Sequence, residues 1–247
     1  MRALFISDLH LHERDVATHA RFIAFMHGPA RQASHLYVIG DLFHVWLGDR
    51  MLPSDDYALS VAAEFRAVNE AGVAIFIARG NRDFMLGQAF ARACGATLLA
   101  EQTHVDLGSK RALLLHGDEL CTDDVRYQRV RRVLRTTLFR VIGDALPVAW
   151  RYAIARKLRR ESDAHKAVTA MRIMDANHAA IERTFERQGV TLMIHGHTHR
   201  PADHLSADGK RRIVLSDWQQ AFGFLEWRDG DFHVNAWPTT QLGGASN

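Results

Sequence analysis

Two cysteines in 247 residues are too few for a disulfide framework. Neither Cys94 nor Cys121 has a CxxC partner, and two free thiols fit a reducing compartment. Long apolar runs are missing as well. No stretch of roughly 18 apolar residues occurs, so no membrane-spanning helix is expected. The first residues, Met1 to Asp8, lack the apolar core and cleavage site of a secretory signal and run straight into a strand pattern. A cytosolic protein is the expectation. Internal repeats and low-complexity tracts are absent too.

Acidic residues are scarce in one segment. Residues 125–172 hold three Asp and Glu against thirteen Arg and Lys, whereas the rest of the chain holds twenty-five acidic and eighteen basic residues. The net charge of +3 therefore conceals a basic segment on an acidic body. Such a segment suits an anionic partner: phosphate, nucleic acid or lipid headgroups. It also has the composition of a solvated helix face, and both readings are open at this level.

What is present describes a soluble globular chain, 47% hydrophobic and 24% charged, large enough for one domain or one domain with an insertion. Strand patterns fall at 3–8, 35–40, 73–79, 103–107, 111–116, 190–195 and 211–216, with helical patterns at 16–33, 56–71 and 85–94. The alternation predicts a layered α/β architecture. "FGFLEW", "RDGD" and "FHVNAW" predict a hairpin turning at Asp229-Gly230. Residues 124–187 break the alternation: Val130, Val133, Leu134, Leu138, Val141 and Ile142 recur at helical spacing, and Pro147 interrupts them. A second helical stretch runs to about Arg160 and a third from about His165 to Arg187. Most of this segment, 125–172, is read as a helical insertion. It leaves 1–124 and 173–240 as the core and 241–247 as a disordered, glycine-rich tail.

Five strand ends carry Asp, Asn and His together: "SDLH" with Asp8 and His10, "GDLF" with Asp41, "GNRD" with Asn81, Arg82 and Asp83, "HGD" with His116 and Asp118, and "HGHTH" with His195, His197 and His199. Carboxylates mixed with imidazoles suit divalent Mn, Fe or Zn. Gly40, Gly80, Gly117 and Gly196 stand beside these residues and permit tight turns. The order and types of the five motifs resemble the calcineurin-like metallophosphoesterases across the chain outside the insertion. That resemblance implies a layered β-sandwich flanked by helices, with the insertion as a helical lid. It also implies two divalent metal ions, one on Asp8, His10, Asp41 and His197, the other on Asp41, Asn81, His116 and His195. In such sites the ion pair clamps the phosphoryl group and activates a water for in-line attack. His199 is assigned to the periphery of the site, His12 is discounted, and Asp83 and Asp118 are either supports of the ligands or helix caps.

Arg82 stands where many metallophosphoesterases have a histidine able to protonate an alkoxide leaving group. A guanidinium cannot act as a general acid but can bind phosphate bidentately. That favours a leaving group needing no proton, such as a phosphate monoester, and hence a pyrophosphate bond. The plain alternative is an arginine that pairs with Asp83.

Longer matches, "GDLFHVWLGD", "GNRDFMLG", "HGDELCTDDVRYQ", "IMDANHAAI" and "IHGHTHRP", resemble the UDP-2,3-diacylglucosamine hydrolase family of the lipid A pathway. This resemblance implies hydrolysis of UDP-2,3-diacylglucosamine to UMP and 2,3-diacylglucosamine 1-phosphate, usually with Mn2+. The protein would lie peripherally on the cytoplasmic face of the inner membrane, against an anionic lipid surface. It implies catalytic roles for Asn81, Arg82, His116 and His195. Substrate contacts would come from Asn81, Arg82, Asp124, Tyr127, Arg159, Ser162 and His195, with Lys166 and Thr169 standing where the family pattern departs. His44 replaces a usual Glu and Arg50 a usual Asp. The apolar stripe of the insertion is either an acyl-chain groove or ordinary packing.

Two rival readings use the same residues. One is a nuclease or cyclic phosphodiesterase, but Phe139, Trp150 and Tyr152 are too few and too apolar in placement for a single-strand platform, so no nucleic-acid partner is expected. The other is a metal-stabilised scaffold, against which a full two-ion ligand set argues. A monomer is the expected oligomeric state.

Overall fold

The computed structural model describes residues 1–147, 150, 151, 153, 175–219 and 222–236. The helical stretch near Arg160, the start of the third helix and the tail lie outside them. So do Arg159, Ser162, Lys166 and Thr169.

Eleven strands are found among the described residues: β1 (Ala3–Ile6), β2 (His35–Ile39), β3 (Ala74–Ala78), β4 (Ala96–Leu98), β5 (Gln102–Asp106), β6 (Arg111–Leu115), β7 (Leu192–His195), β8 (Ala202–Leu205), β9 (Arg211–Val214), β10 (Gly223–Arg228) and β11 (Asp231–Ala236). They form two sheets, ordered β11-β10-β1-β2-β3-β4 and β5-β6-β7-β9-β8. The neighbours β1, β2, β3 and β4 run parallel, as do β6, β7 and β9.

The two-residue period of the strands decides the layers. In β1, Ala3 and Phe5 face the second sheet, packing with Tyr37, Ile39, Leu114, Ile194 and Ile213. Leu4 and Ile6 face the other way, against Phe22 and Phe25 of α1 (Val16–His27), Phe65 of α2 (Asp56–Glu70) and Phe90 of α3 (Gln88–Cys94). Behind the second sheet, Leu113, Leu115 and Met193 cover Ile181 and Phe185 of the helix His178–Gln188. Burying one such side chain contributes about 1.5–3 kcal/mol. The result is the expected sandwich flanked by helices. Asp229 and Gly230, at φ 56° and 87°, make the predicted hairpin turn.

Several boundaries differ from the sequence reading. The first helix stops at His27, because Gly28 and Pro29 redirect the chain into a short 3-10 turn, Pro29–Gln32. Two strands escaped detection. β4 has only three residues, and β8 is largely exposed and lacks an apolar run. The helical run after Asp124 is split into α4 (Val125–Leu134) and α5 (Thr137–Ala145), because Thr136 accepts from the Phe139 amide and caps a new helix. The third stretch is not helical at 175–177. Asn177 caps the helix that begins at His178, labelled α6 here.

Candidate metal centre

The loops after β1, β2, β3, β6 and β7 meet at the carboxyl ends of parallel strands, where α/β sheets place their ligands. They are joined by their backbones. Asp8 N donates to Gly40 O at 3.1 Å, His10 N to Asp41 O at 3.0 Å, and Gly196 N to His116 O at 2.9 Å. Asp8, His10, Asp41, His197 and His199 have left-handed backbone, with φ of 52° to 68°. Asp229 is the sole other non-glycine residue at positive φ among the described residues. Each such residue costs about 1–3 kcal/mol, and their gathering in one place marks a site held by its surroundings.

The four glycines serve in two ways. Gly40 and Gly117 do adopt positive φ, 83° and 114°. Gly80 and Gly196 do not; they are needed for close approach. A Cβ on Gly80 would fall on the Asp41 carboxylate and amide, and one on Gly196 on the Asp8 carboxylate and Ser7 hydroxyl.

Two side-chain clusters result. Asp8, His10 and His199 offer ligand atoms within 4.8 Å of one another, and so do Asp8, Asp41 and His116. His10 Nδ1 lies 3.7 Å from Asp41 Oδ2. Asn81 Oδ1 receives His116 Nε2 at 2.9 Å and His197 Nδ1 at 2.8 Å. His197 thus sits on Asn81, while its amide donates to Asp8 Oδ2 at 2.9 Å. His199, assigned to the periphery, places Nε2 3.4 Å from Asp8 Oδ1 and 3.2 Å from His10 Nε2. His195 turns Nδ1 to its neighbour's carbonyl, Gly196 O, and Nε2 to Arg212, a residue the sequence reading missed. No motif flags Arg212; only the pairing of β7 with β9 brings it there.

The electrostatics divide the rings. Burial, then the Arg82 charge, pushes His10 down to about 2. Burial and Arg212 push His195 down to about 4, and burial and His116 push His197 down to about 3. These three rings are neutral at pH 7 and can offer lone pairs, as metal ligands must. Burial would lower His116, but Asp41, Asp8 and Asp118 push it up to about 9. Burial, with the charges of Asp83 and Asp8, pushes Asp41 up to about 7, against the pull of His116. Burial would raise Asp8, yet the adjacent His199 and the surrounding imidazoles hold it well below the usual carboxylate range.

Asp83 and Asp118, left open as supports or caps, support the ligand loops. Asp83 accepts from Gly80 N at 2.6 Å and Leu42 N at 2.8 Å, clamping the second loop to the third. Among the described residues Arg82 pairs with Asp41 and not with Asp83. Its amide donates to Asp41 Oδ1 at 2.8 Å, its Nε lies 3.7 Å from Asp41 Oδ2, and its Nη1 reaches His44 Nδ1 at 3.1 Å. Asp118 accepts from Tyr127 Oη at 2.7 Å and from Arg131 Nε at 2.8 Å, and pairs with Arg135 at 3.1 Å. The Tyr127 phenol is pushed well up by burial and by Asp118, so it stays protonated and donates. Asp124 caps α4 by accepting from Tyr127 N at 2.9 Å.

The basic segment is therefore not one face. Arg131 and Arg135 turn inward to Asp118 and Glu101, while Arg126, Arg129 and Arg132 are exposed. In the apolar stripe, Val133, Leu138, Val141 and Ile142 are 54–69% exposed, whereas Leu134 is half-buried. Arg50 pairs with Asp144 of α5 at 3.6 Å, so both departures at the rim, His44 and Arg50, have partners.

Divalent ions fit this residue set. Asp8 Oδ1 and His10 Nδ1 are buried without a hydrogen-bond partner, which is costly unless something binds them. Asp8, Asp41, Asp83 and Asp118 bring four buried carboxylates into one region.

The profile of the calcineurin-like phosphoesterase family matches residues 1–201. The chain is 45% identical over 230 residues to a UDP-2,3-diacylglucosamine hydrolase of Pseudomonas paraeruginosa, covering 92% of this chain and 95% of that one. It is 42% identical over 238 residues to the protein of the same name from Nitrosococcus oceani, covering 95% and 94%. Among solved structures, an archaeal phosphodiesterase is similar at a TM-score of 0.51 and 12% identity, over 96% of this chain and all of that one, a likeness of fold alone.

Proposed function

The chain belongs to the calcineurin-like phosphoesterase family and, within it, to the UDP-2,3-diacylglucosamine hydrolases, and on that premise we propose that it splits the pyrophosphate bond of UDP-2,3-diacylglucosamine to UMP and 2,3-diacylglucosamine 1-phosphate. The observation that carries this reading is Arg82 beside Asn81, with its guanidinium on the Asp41 side of a buried carboxylate–imidazole cluster. A permanent cation there stabilises a phosphate leaving group and cannot protonate an alkoxide.

Asp8, His10, Asp41 and His197 would hold one divalent ion, and Asp41, Asn81, His116 and His195 a second, with His199 close enough to Asp8 to share the first. Bound ions, Mn2+ in our reading, would polarise the phosphoryl oxygens and supply the activated water for attack at the α-phosphorus. The protein's own contribution is placement. Asp83 fixes the loops, Asn81 aligns two imidazoles, and Arg82 faces the outgoing phosphate. Asp118 ties α4 to the loop of His116 through Tyr127 and Arg131, which would hold the proposed contacts Asp124 and Tyr127 in register with the centre.

The insertion, 125–172, is proposed as the lid that takes the acyl chains. Support comes from the exposed apolar side chains of α4 and α5 beside exposed arginines, a combination suited to an anionic lipid surface. No helix among the described residues is long and apolar enough to cross a membrane. Peripheral attachment to the cytoplasmic face of the inner membrane is the corresponding proposal. Asp124, Tyr127, Arg159, Ser162, Lys166 and Thr169 are proposed substrate contacts from the resemblance to the family. The deciding assay incubates pure protein with UDP-2,3-diacylglucosamine and a divalent ion and measures UMP. Cleavage of nucleic acid or cyclic nucleotides, with the lipid-linked sugar untouched, would replace this reading.

A further inference from the structure

Arg212 stands on β9 at the second-sheet side of the centre, where its Nη1 donates to His195 Nε2 at 3.0 Å. It is half-buried and forms no ion pair among the described residues. Its neighbour Arg211 shows the contrast, being paired with Asp203 at 2.7 Å and Asp231 at 3.3 Å. Asp175 is the carboxylate whose charge Arg212 feels, but that group is already engaged by Arg200. A half-buried guanidinium whose hydrogen-bond acceptor is an imidazole is under-compensated. It has five N–H donors, of which one is engaged among the described residues.

Arg82 approaches the same cluster from the loop after β3 in the first sheet, on the side of Asp41 and His44. The cluster thus has one cation from each sheet. A diphosphate carries two phosphoryl groups, and a guanidinium fork matches one phosphate bidentately. Since Arg82 is assigned to the leaving phosphate, we infer that Arg212 binds the other phosphoryl group, the α-phosphate on the uridine side. This inference rests on the proposed pyrophosphate substrate. One donor of Arg212 rests on His195 Nε2 here, and the others are available to phosphoryl oxygens. An ion held through His195 Nε2 would free the fifth donor as well.

UMP is the probe that separates the two arginines. Its affinity is measured by calorimetry on divalent-ion-loaded wild type and on Arg212→Met, Arg212→Lys and Arg82→Met, with metal content and Tm recorded for each. Arg212→Met is expected to weaken UMP about 10-fold or more, the scale of one charged hydrogen bond, with metal content retained. Arg212→Lys should recover part of the loss, and Arg82→Met should change UMP affinity far less. Unchanged UMP affinity in Arg212→Met overturns the inference. So does a loss that simply follows loss of metal, which would mean Arg212 acts only through His195. Wild type that does not bind UMP overturns it too. Wild type that binds UMP but leaves UDP-2,3-diacylglucosamine intact sinks the substrate assignment alone, and the Arg212 comparison still stands.

Discussion

Nη1 of Arg82 donates to Nδ1 of His44 across 3.1 Å, and this bond turns a departure from the family pattern into a support. A guanidinium only donates, so Nδ1 is the acceptor. The bond steers the side chain from the loop after β3 toward Asp41 and fixes where its charge lies.

His44→Leu is therefore expected to lower kcat/KM about 10-fold, roughly 1.4 kcal/mol of transition-state stabilisation. His44→Asn should stay within about 3-fold, because an amide oxygen can replace Nδ1 as acceptor. In an Arg82→Ala background, His44→Leu should cost nothing further. Additive losses in that double variant would show that His44 acts elsewhere.

Metal removal should abolish turnover. Dialysis against a chelator, followed by titration with Mn2+, Mg2+, Zn2+ and Co2+, will show which ions restore it. The chelated protein should also melt lower, since ions that bind only the folded chain stabilise it. Asp8→Ala should lose metal and activity together while its circular dichroism spectrum survives. Turnover by a metal-free protein would remove the centre from the mechanism.

Gly80→Ala tests close approach apart from turn geometry. The new Cβ would meet the Asp41 carboxylate and amide, both backbone-fixed or buried. Activity should drop about 100-fold or more, because a misplacement of about 1 Å has that scale. Metal content should fall in parallel. An active, metal-replete Gly80→Ala protein would mean the loop gives way without consequence.

Asp118→Asn should destabilise the protein by about 3 kcal/mol, the cost of leaving buried arginines without their partner. Arg131 and Arg135 have side chains only 13% and 8% exposed, so water cannot replace the carboxylate well. Urea unfolding is the measurement. Adding Arg135→Met to Asp118→Asn should recover part of the loss, and a further full-size drop would disprove the coupling.

Replacing Leu138 and Ile142 with Asp addresses the lid. Both are more than half exposed, so the change in stability should be within about 0.5 kcal/mol per site. Turnover of the diacylated UDP-sugar should collapse, while a small chromogenic phosphodiester should be cleaved nearly as before. Equal losses on both substrates would assign the stripe to the fold.

The carboxylate–imidazole cluster was readable in the chain because loops at strand ends leave a local trace. Asp8, His10, Asp41, Asn81, His116 and His195 each follow an apolar run, and a strand end fixes what comes next. The two-residue period likewise marked which strands are buried, though not β4, which is too short, or β8, which faces water. Tertiary structure decided what depends on contacts between distant segments. It set which imidazole each carboxylate meets, so that His199 reaches Asp8 while His197 rests on Asn81. It gave Gly80 and Gly196 a packing role, and it sent Arg131 and Arg135 inward from a segment whose charge reads as one block. It also brought Arg212 to His195. The physical reason is the same each time: composition and spacing act along the chain, whereas the partner of a side chain is fixed by strand register and by which sheet lies opposite.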